Sequence, residues 1–257
     1  VKRRRRRVGR WLVAIVLFVA LGVVAVRLGI ENGTPPLATK HQHTPPPAAK
    51  ADPPLLASVN IKVPGQNQHP QLANGCEMTS LSMLLTAVGH PMSKMTLAGM
   101  IAKDPTPLVR GPGGKIISWG NPNVGFVGSE SVYSDGFGVY HHPVYELLNR
   151  ILPGRAVDLT GQSVSAIERQ LDRGVPVMIW VNTTLAPTNL FWVTWQTPEG
   201  PFTTTLDEHV VLVVGYDSRY FYINNPLTGQ ADQPVPRANL IGAWRQLGEQ
   251  AISVKPD

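Results

Sequence analysis

Apolar positions recur at helical spacing after Cys76. Met78, Leu81, Leu84, Leu85 and Val88 return to one face and predict a helix from Cys76 to about Val88. Ser93 is placed to cap a second, short helix to about Ala102, and Ser163 to cap a third from Val164 to Asp172, ended by Gly174. Beyond Gly174 the pattern changes to short β-branched and aromatic runs. Val175 to Val181, Phe191 to Trp195, His209 to Gly215 and Tyr220 to Asn224 predict strands, as does Val59 to Val63 ahead of the first helix. A helix from Ala238 to Leu247 and a strand from Gln250 to Val254 complete the pattern. A helical first half followed by an antiparallel second half predicts an α+β fold with a cleft between the halves, not an alternating α/β fold. Between Asp104 and His142 the chain is Gly- and Pro-rich with little periodicity, and so long a connection is usually functional or disordered.

The N-terminal pattern is of another kind. Trp11 to Val26 holds no charged or strongly polar residue, and six arginines lie on its N-terminal side. A bilayer span takes roughly 17–25 mostly apolar residues, which the run reaches if it continues to Ile30 with Arg27 snorkelling to the interface. Residues 1–30 therefore predict a basic cytoplasmic tail and a single membrane helix, with the bulk of the chain outside. A cleaved secretory signal is the competing reading and exports the rest equally. Residues 31–58 carry Pro35, Pro36, Pro45, Pro46, Pro47, Pro53 and Pro54, the composition of a semi-stiff linker. Residues 59–257 form the one segment large enough for a sizeable core.

Charge narrows the function. Eight of the 23 Lys and Arg residues lie in the first thirty positions, which hold no acid, so the remaining 15 face 17 Asp and Glu. A slightly acidic domain has no cationic surface to track phosphates, which argues against nucleic acid as a partner. No cofactor or metal is expected. His41 and His43 are polar spacers in the tether, and the glycines from Gly111 to Gly114 lack the Gly-Lys-Ser/Thr element of a phosphate loop.

The chemistry centres on Cys76, the single cysteine of the chain. A lone thiol forms no internal disulfide, and unused cysteines are a redox liability outside the cytoplasm. Opening an apolar helix, it reads either as a small buried hydrophobe or as a nucleophile activated by the helix N-terminus. A nucleophile needs a base, and His209 at the edge of an apolar strand is the best candidate. Asn225, at the end of the next strand, would meet that histidine if the two strands pair through a turn from Gly215 to Arg219. Asp207, Glu208 and Asp217 are weaker alternatives for the orienting role. Gln68 is placed to donate a side-chain amide to an oxyanion, together with the backbone N–H of Cys76. Trp192 and Trp195 are candidates for the wall of a substrate groove.

These runs resemble a known family. Val63-Pro64-Gly65-Gln66-Asn67-Gln68 and Asn74-Gly75-Cys76-Glu77-Met78-Thr79-Ser80-Leu81 are similar to the active-site segment of papain-like cysteine peptidase family thirty-nine, whose better known members remove double-glycine leaders and which has an exported bacterial branch. The similarity extends through Trp119 to Gly128, Gly136 to Tyr140, Glu208 to Leu212 and Asn224 to Leu227. It implies a papain-like fold with Gln68 as the oxyanion-hole glutamine, Cys76 as nucleophile and His209 as general base. Asn225 stands where the family usually has aspartate; its carbonyl can still orient the imidazole but brings no charge.

The expectation is a membrane-anchored, extracytoplasmic cysteine hydrolase acting on a peptide or protein. Peptidoglycan cross-bridges are an alternative substrate, because the domain is tethered at the cell surface. A non-catalytic binding module on the same fold is a further alternative, motivated by Asn225. Nothing in the sequence names the substrate or an oligomeric state.

Overall fold

The computed structural model describes residues 53–131 and 133–256. The basic tail, the apolar segment and the linker as far as residue 52 lie outside the described residues. Among those described, no helix is long and apolar enough to cross a membrane.

In chain order the elements are β1 (Val59–Asn60), α1 (Cys76–Ala87), α2 (Lys94–Met100), β2 (Lys103–Asp104), β3 (Val109–Arg110), β4 (Ile116–Ser118), β5 (Phe126–Gly128), β6 (Gly136–Gly138), α3 (His141–Ile151), β7 (Ala156–Asp158), α4 (Val164–Asp172), β8 (Val177–Asn182), β9 (Trp192–Thr197), β10 (Gly200–Thr205), β11 (Glu208–Tyr216), β12 (Tyr220–Asn225), β13 (Gln230–Pro236), α5 (Arg237–Gln246) and β14 (Ala251–Val254). The fold is α+β. Its main sheet runs β13-β12-β11-β8-β14-β7 with β1 added on β11, and every pairing in it is antiparallel. Smaller sheets, β10-β9-β4-β3 and β2-β5-β6, each contain one parallel pair.

Alternation along β11 organises the core. Val210, Leu212 and Val214 pack with Met78, Leu81, Leu84 and Leu85 of α1 on one side. Val211 and Val213 pack with Ile167 and Leu171 of α4 and with Leu240 and Trp244 of α5 on the other. β11 is thus buried on both faces and carries helices on each.

The predicted elements fall within two or three residues of those observed, with instructive exceptions. Ser93 caps α2 as expected, accepting the Thr96 N–H at 3.0 Å. α4 also starts where expected, but the Ser163 side chain makes no cap hydrogen bond. The Gly/Pro-rich stretch from Asp104 to His142 holds strands of only two or three residues, too short for a period to register. α3 escapes the sequence pattern because Pro143 looks like a breaker, yet in the first turn its missing N–H costs no helical hydrogen bond. Trp195 is buried among Trp119, Phe137 and Phe202, whereas Trp192 is half exposed.

Candidate active site

The segment leading into α1 is tied down along its length. Val63 O accepts Asn224 Nδ2 at 2.8 Å, and the Gln68 N–H donates to Pro226 O at 2.8 Å. Lys94 Nζ reaches the carbonyls of Asn67 and Gln68. Asn74 Nδ2 donates to Ser129 O at 2.9 Å. At Gly75 a Cβ would come within 2.5 Å of the Leu72 Cβ, so only glycine lets the chain turn this tightly into the helix. Cys76 is then the first residue of α1, at its positive end.

β11 and β12 pair as the expected hairpin, with Leu212 opposite Asn224. By alternation His209 lies on the side of Val211 and Val213, and Asn225 on that of Phe221 and Ile223, so the two side chains meet. His209 Nε2 is 2.9 Å from Asn225 Oδ1. That oxygen also accepts the Leu227 backbone N–H at 3.1 Å, which fixes which end of the amide faces the ring. Asn225 Nδ2 donates to Gln233 Oε1 at 3.1 Å. An oxygen facing the ring requires the proton on Nε2, and neutral His209 then keeps its lone pair on Nδ1, the tautomer a general base needs. Burial lowers the imidazole below its ordinary range, while the hydrogen bond to Asn225 works the other way. Asp217, an alternative orienting group, is occupied by the backbone of Arg219 and Tyr220 and by the Tyr222 hydroxyl.

Glu208 and Val210 take the opposite side of β11, toward α1. The donor atoms of Cys76, Glu77 and Glu208 lie within 4.8 Å of one another, and this is the one set among the described residues close enough to hold a metal ion. Cys76 Sγ donates to Glu77 Oε2 at 3.5 Å, and Glu77 Oε1 accepts the Val139 N–H at 2.6 Å. Trp180 Nε1 in turn anchors Val139 O at 3.0 Å. Glu208 Oε1 is buried without a hydrogen-bond partner.

The sequence left Cys76 as either a small buried hydrophobe or a nucleophile activated by the helix N-terminus, with His209 as the candidate base. In the structure Cys76 is 7% exposed, and its side-chain partner is Glu77, not His209. Burial first, then the charges of Glu77 and Glu208, push the thiol well above its ordinary range; a backbone hydrogen bond at Val210 works weakly against them. Burial also raises Glu77 to about 7, against the hydrogen bonds from Val139 and Cys76. Glu208 is raised further by burial and by the neighbouring Glu77 charge.

Gln68 is buried beside the cysteine segment, with Nε2 donating to Ala73 O at 2.5 Å and Oε1 unpartnered. One amide hydrogen therefore remains for another acceptor. Gln68, His209 and Asn225 are exposed by 3, 3 and 6%, so each candidate residue is shielded from water, but the structure brings only His209 and Asn225 into hydrogen-bonding contact; Cys76 lies with Glu77 and Glu208 on the α1 side of β11. Sequence reasoning passed over Glu77 and considered Glu208 only as an orienting group. The available signal was adjacency: one acid directly follows the cysteine and the other directly precedes the histidine.

A buried cysteine at a helix N-terminus, facing a strand pair that carries a hydrogen-bonded histidine and asparagine, matches the motifs read from the sequence. The chain belongs to the Peptidase_C39 like family, whose profile matches residues 60–252. The crystal structure of a candidate C39-like peptidase from Bacillus anthracis is similar at TM-score 0.69 and 40% identity, over 78% of this chain and 98% of that one. A Bacillus subtilis (strain 168) protein with the name Uncharacterized protein YvpB is 40% identical over 190 residues, 74% of this chain and 72% of its own.

Proposed function

We propose that the domain is a papain-type cysteine peptidase in which Cys76 attacks an amide carbonyl. Once Cys76 and His209 approach, which the resting Cys76–Glu77 hydrogen bond has to release, His209 Nδ1 accepts the thiol proton, Asn225 holds the ring, and the free amide hydrogen of Gln68 stabilises the oxyanion. The His209 proton then passes to the leaving amine, and water releases the acyl group from sulfur. The observation that carries this reading is the His209 Nε2 to Asn225 Oδ1 hydrogen bond, because it leaves the basic lone pair on Nδ1. Family membership supports the same reaction class. The basic, then apolar N-terminus supports an address on the outer face of a membrane. The test is hydrolysis of a mixed peptide library and of purified cell wall by the wild type and Cys76→Ala. Turnover that survives the substitution would falsify the mechanism, and the substrate that is cut separates protein from peptidoglycan peptide.

One observation favours a second reading, a binding module that kept the fold: the sulfur is buried and held as a thiol. Absence of Cys76-dependent hydrolysis, with retained binding of a cell-wall or peptide ligand, would support it.

A further inference from the structure

We propose that Glu77, fully buried, and Glu208, partly exposed but with Oε1 shielded from water, form an acid pair that holds one proton between them and, with Glu77 accepting the Cys76 S–H, keeps the sulfur in a resting thiol form. The proposal rests on the reading of Cys76 as nucleophile and adds Glu77 and Glu208 to the residues that govern it.

The geometry requires a proton in the pair. Two carboxylates this close, Glu77 fully buried and Glu208 with its Oε1 buried in a partly exposed residue, repel each other strongly enough that one holds a proton. Among the described residues neither has a Lys or Arg partner that would relieve the repulsion. The hydrogen bonds say where the proton sits. Glu77 accepts from the Val139 N–H and from the Cys76 S–H, which suits the charged form. Glu208 Oε1 accepts nothing. As an anion it would be a buried, unsatisfied acceptor, whereas as an acid it carries an O–H with Glu77 and the sulfur as neighbours. Glu77 is therefore the carboxylate and Glu208 the acid.

Other titratable groups face the pair from each packed element. Tyr140, ahead of α3, lies near Glu208 with its hydroxyl on Thr204 of β10. Cys76 comes from α1. His209 is next along β11, with its ring turned to Asn225. At rest the thiol proton is held toward Glu77, and His209, on the other side of β11, makes no hydrogen bond to the sulfur; the reactive arrangement therefore requires Cys76 and His209 to approach each other. In that approach the sulfur leaves Glu77 and its proton moves to the imidazole. Glu77 stays a carboxylate and Glu208 an acid, so the pair neither gains nor loses a proton.

Because Cys76 is the single cysteine, alkylation by iodoacetamide reports on this sulfur alone. Its rate is followed against pH in the wild type, Glu77→Gln and Glu208→Gln, with thermal melts to establish that each is folded. Glu77→Gln is expected to lower the alkylation midpoint by about one pH unit, raising the rate at neutral pH about tenfold, and Glu208→Gln to lower it less. Difference infrared spectroscopy should show a protonated carboxyl band in the wild type at neutral pH that is lost in Glu208→Gln; this readout stands even if Glu77→Gln does not fold. Unmoved midpoints in folded variants, or no such band in the wild type, overturn the proposal. Neither measurement needs a substrate. A wild type that cuts no peptide but shows the shifts sinks the peptidase reading and leaves the acid pair, whereas Cys76-dependent turnover with unmoved midpoints does the reverse.

Discussion

His209 Nε2 donates to Asn225 Oδ1 at 2.9 Å, and the Leu227 N–H on the same oxygen prevents the asparagine from turning over. One backbone group thereby sets the tautomer of the candidate base two links away. A carboxylate at position 225 would accept the same two hydrogen bonds and add a charge, but would require Gln233 to present its amide N–H in place of Oε1.

Asn225→Asp should therefore raise the His209 pKa by about 1–3 units, since a nearby opposite charge favours imidazolium. Ring-proton NMR across a pH titration measures this directly, and an unmoved His209 resonance would count against the contact. Asn225→Ala frees both tautomers and is expected to lower kcat by about 10²-fold on any substrate the wild type cuts, with a smaller change in KM.

Gln68 separates positioning from chemistry. Its Nε2 already satisfies Ala73 O, so Gln68→Ala should cost about 1 kcal/mol of stability, as for an ordinary hydrogen bond. If the second amide hydrogen serves the oxyanion, kcat should fall by about 10²–10³-fold with KM nearly constant. Steady-state kinetics on the variant distinguish this from a purely structural role, which would leave kcat in place once the protein is folded.

How much of this was legible in sequence depends on the length and regularity of each element. α1, β11 and β12 carry runs long enough for periodicity to locate them, and the hairpin that joins His209 to Asn225 follows from the short turn between two apolar strands. β2 to β6 span two or three residues each, and their order comes from tertiary contacts such as Asn121 N–H to Asp104 and Tyr140 N–H to Pro122 O. The acid pair was hidden for a different reason. Glu77 and Glu208 each look like solvated polar neighbours of a reactive residue, and only the docking of the α1 N-terminus on β11 removes Glu77 and the Oε1 atom of Glu208 from water.

The buried groups set opposing pH dependences of stability. Glu77 and Glu208 bind protons more tightly folded than unfolded, so their contribution is complete below the ordinary value of 4.5 and is lost as pH rises, through about 7 for Glu77 and well above the ordinary carboxylate range for Glu208. Cys76 is raised likewise and loses its contribution on the alkaline side. His209 is depressed; its contribution is present above 6.5 and lost as pH falls below that. Acid pair and histidine oppose each other between 4.5 and 6.5, and above 6.5 only the losses remain. The melting temperature should therefore fall from near-neutral to alkaline pH, and the fall should be shallower in Glu208→Gln. Calorimetry over pH 5 to 9 checks both, and a flat profile would contradict the pKa assignments.

Gly138 is the position at which backbone and acid pair are most tightly coupled. Its φ of +138° is rarely adopted by L-residues, and a Cβ there would lie 2.3 Å from Glu77 Oε1 and 3.4 Å from Glu208 Oε2. Gly138→Ala must therefore strain the backbone and push Glu77 away from the Val139 N–H. The strain alone should cost about 1–3 kcal/mol, measurable as a lower urea midpoint. Displacing Glu77 also removes the acceptor of the Cys76 S–H, so the folded variant should be alkylated faster than wild type at neutral pH. Loss of stability without faster alkylation would mean that Gly138 serves the backbone alone and that Glu77 keeps the sulfur by another route.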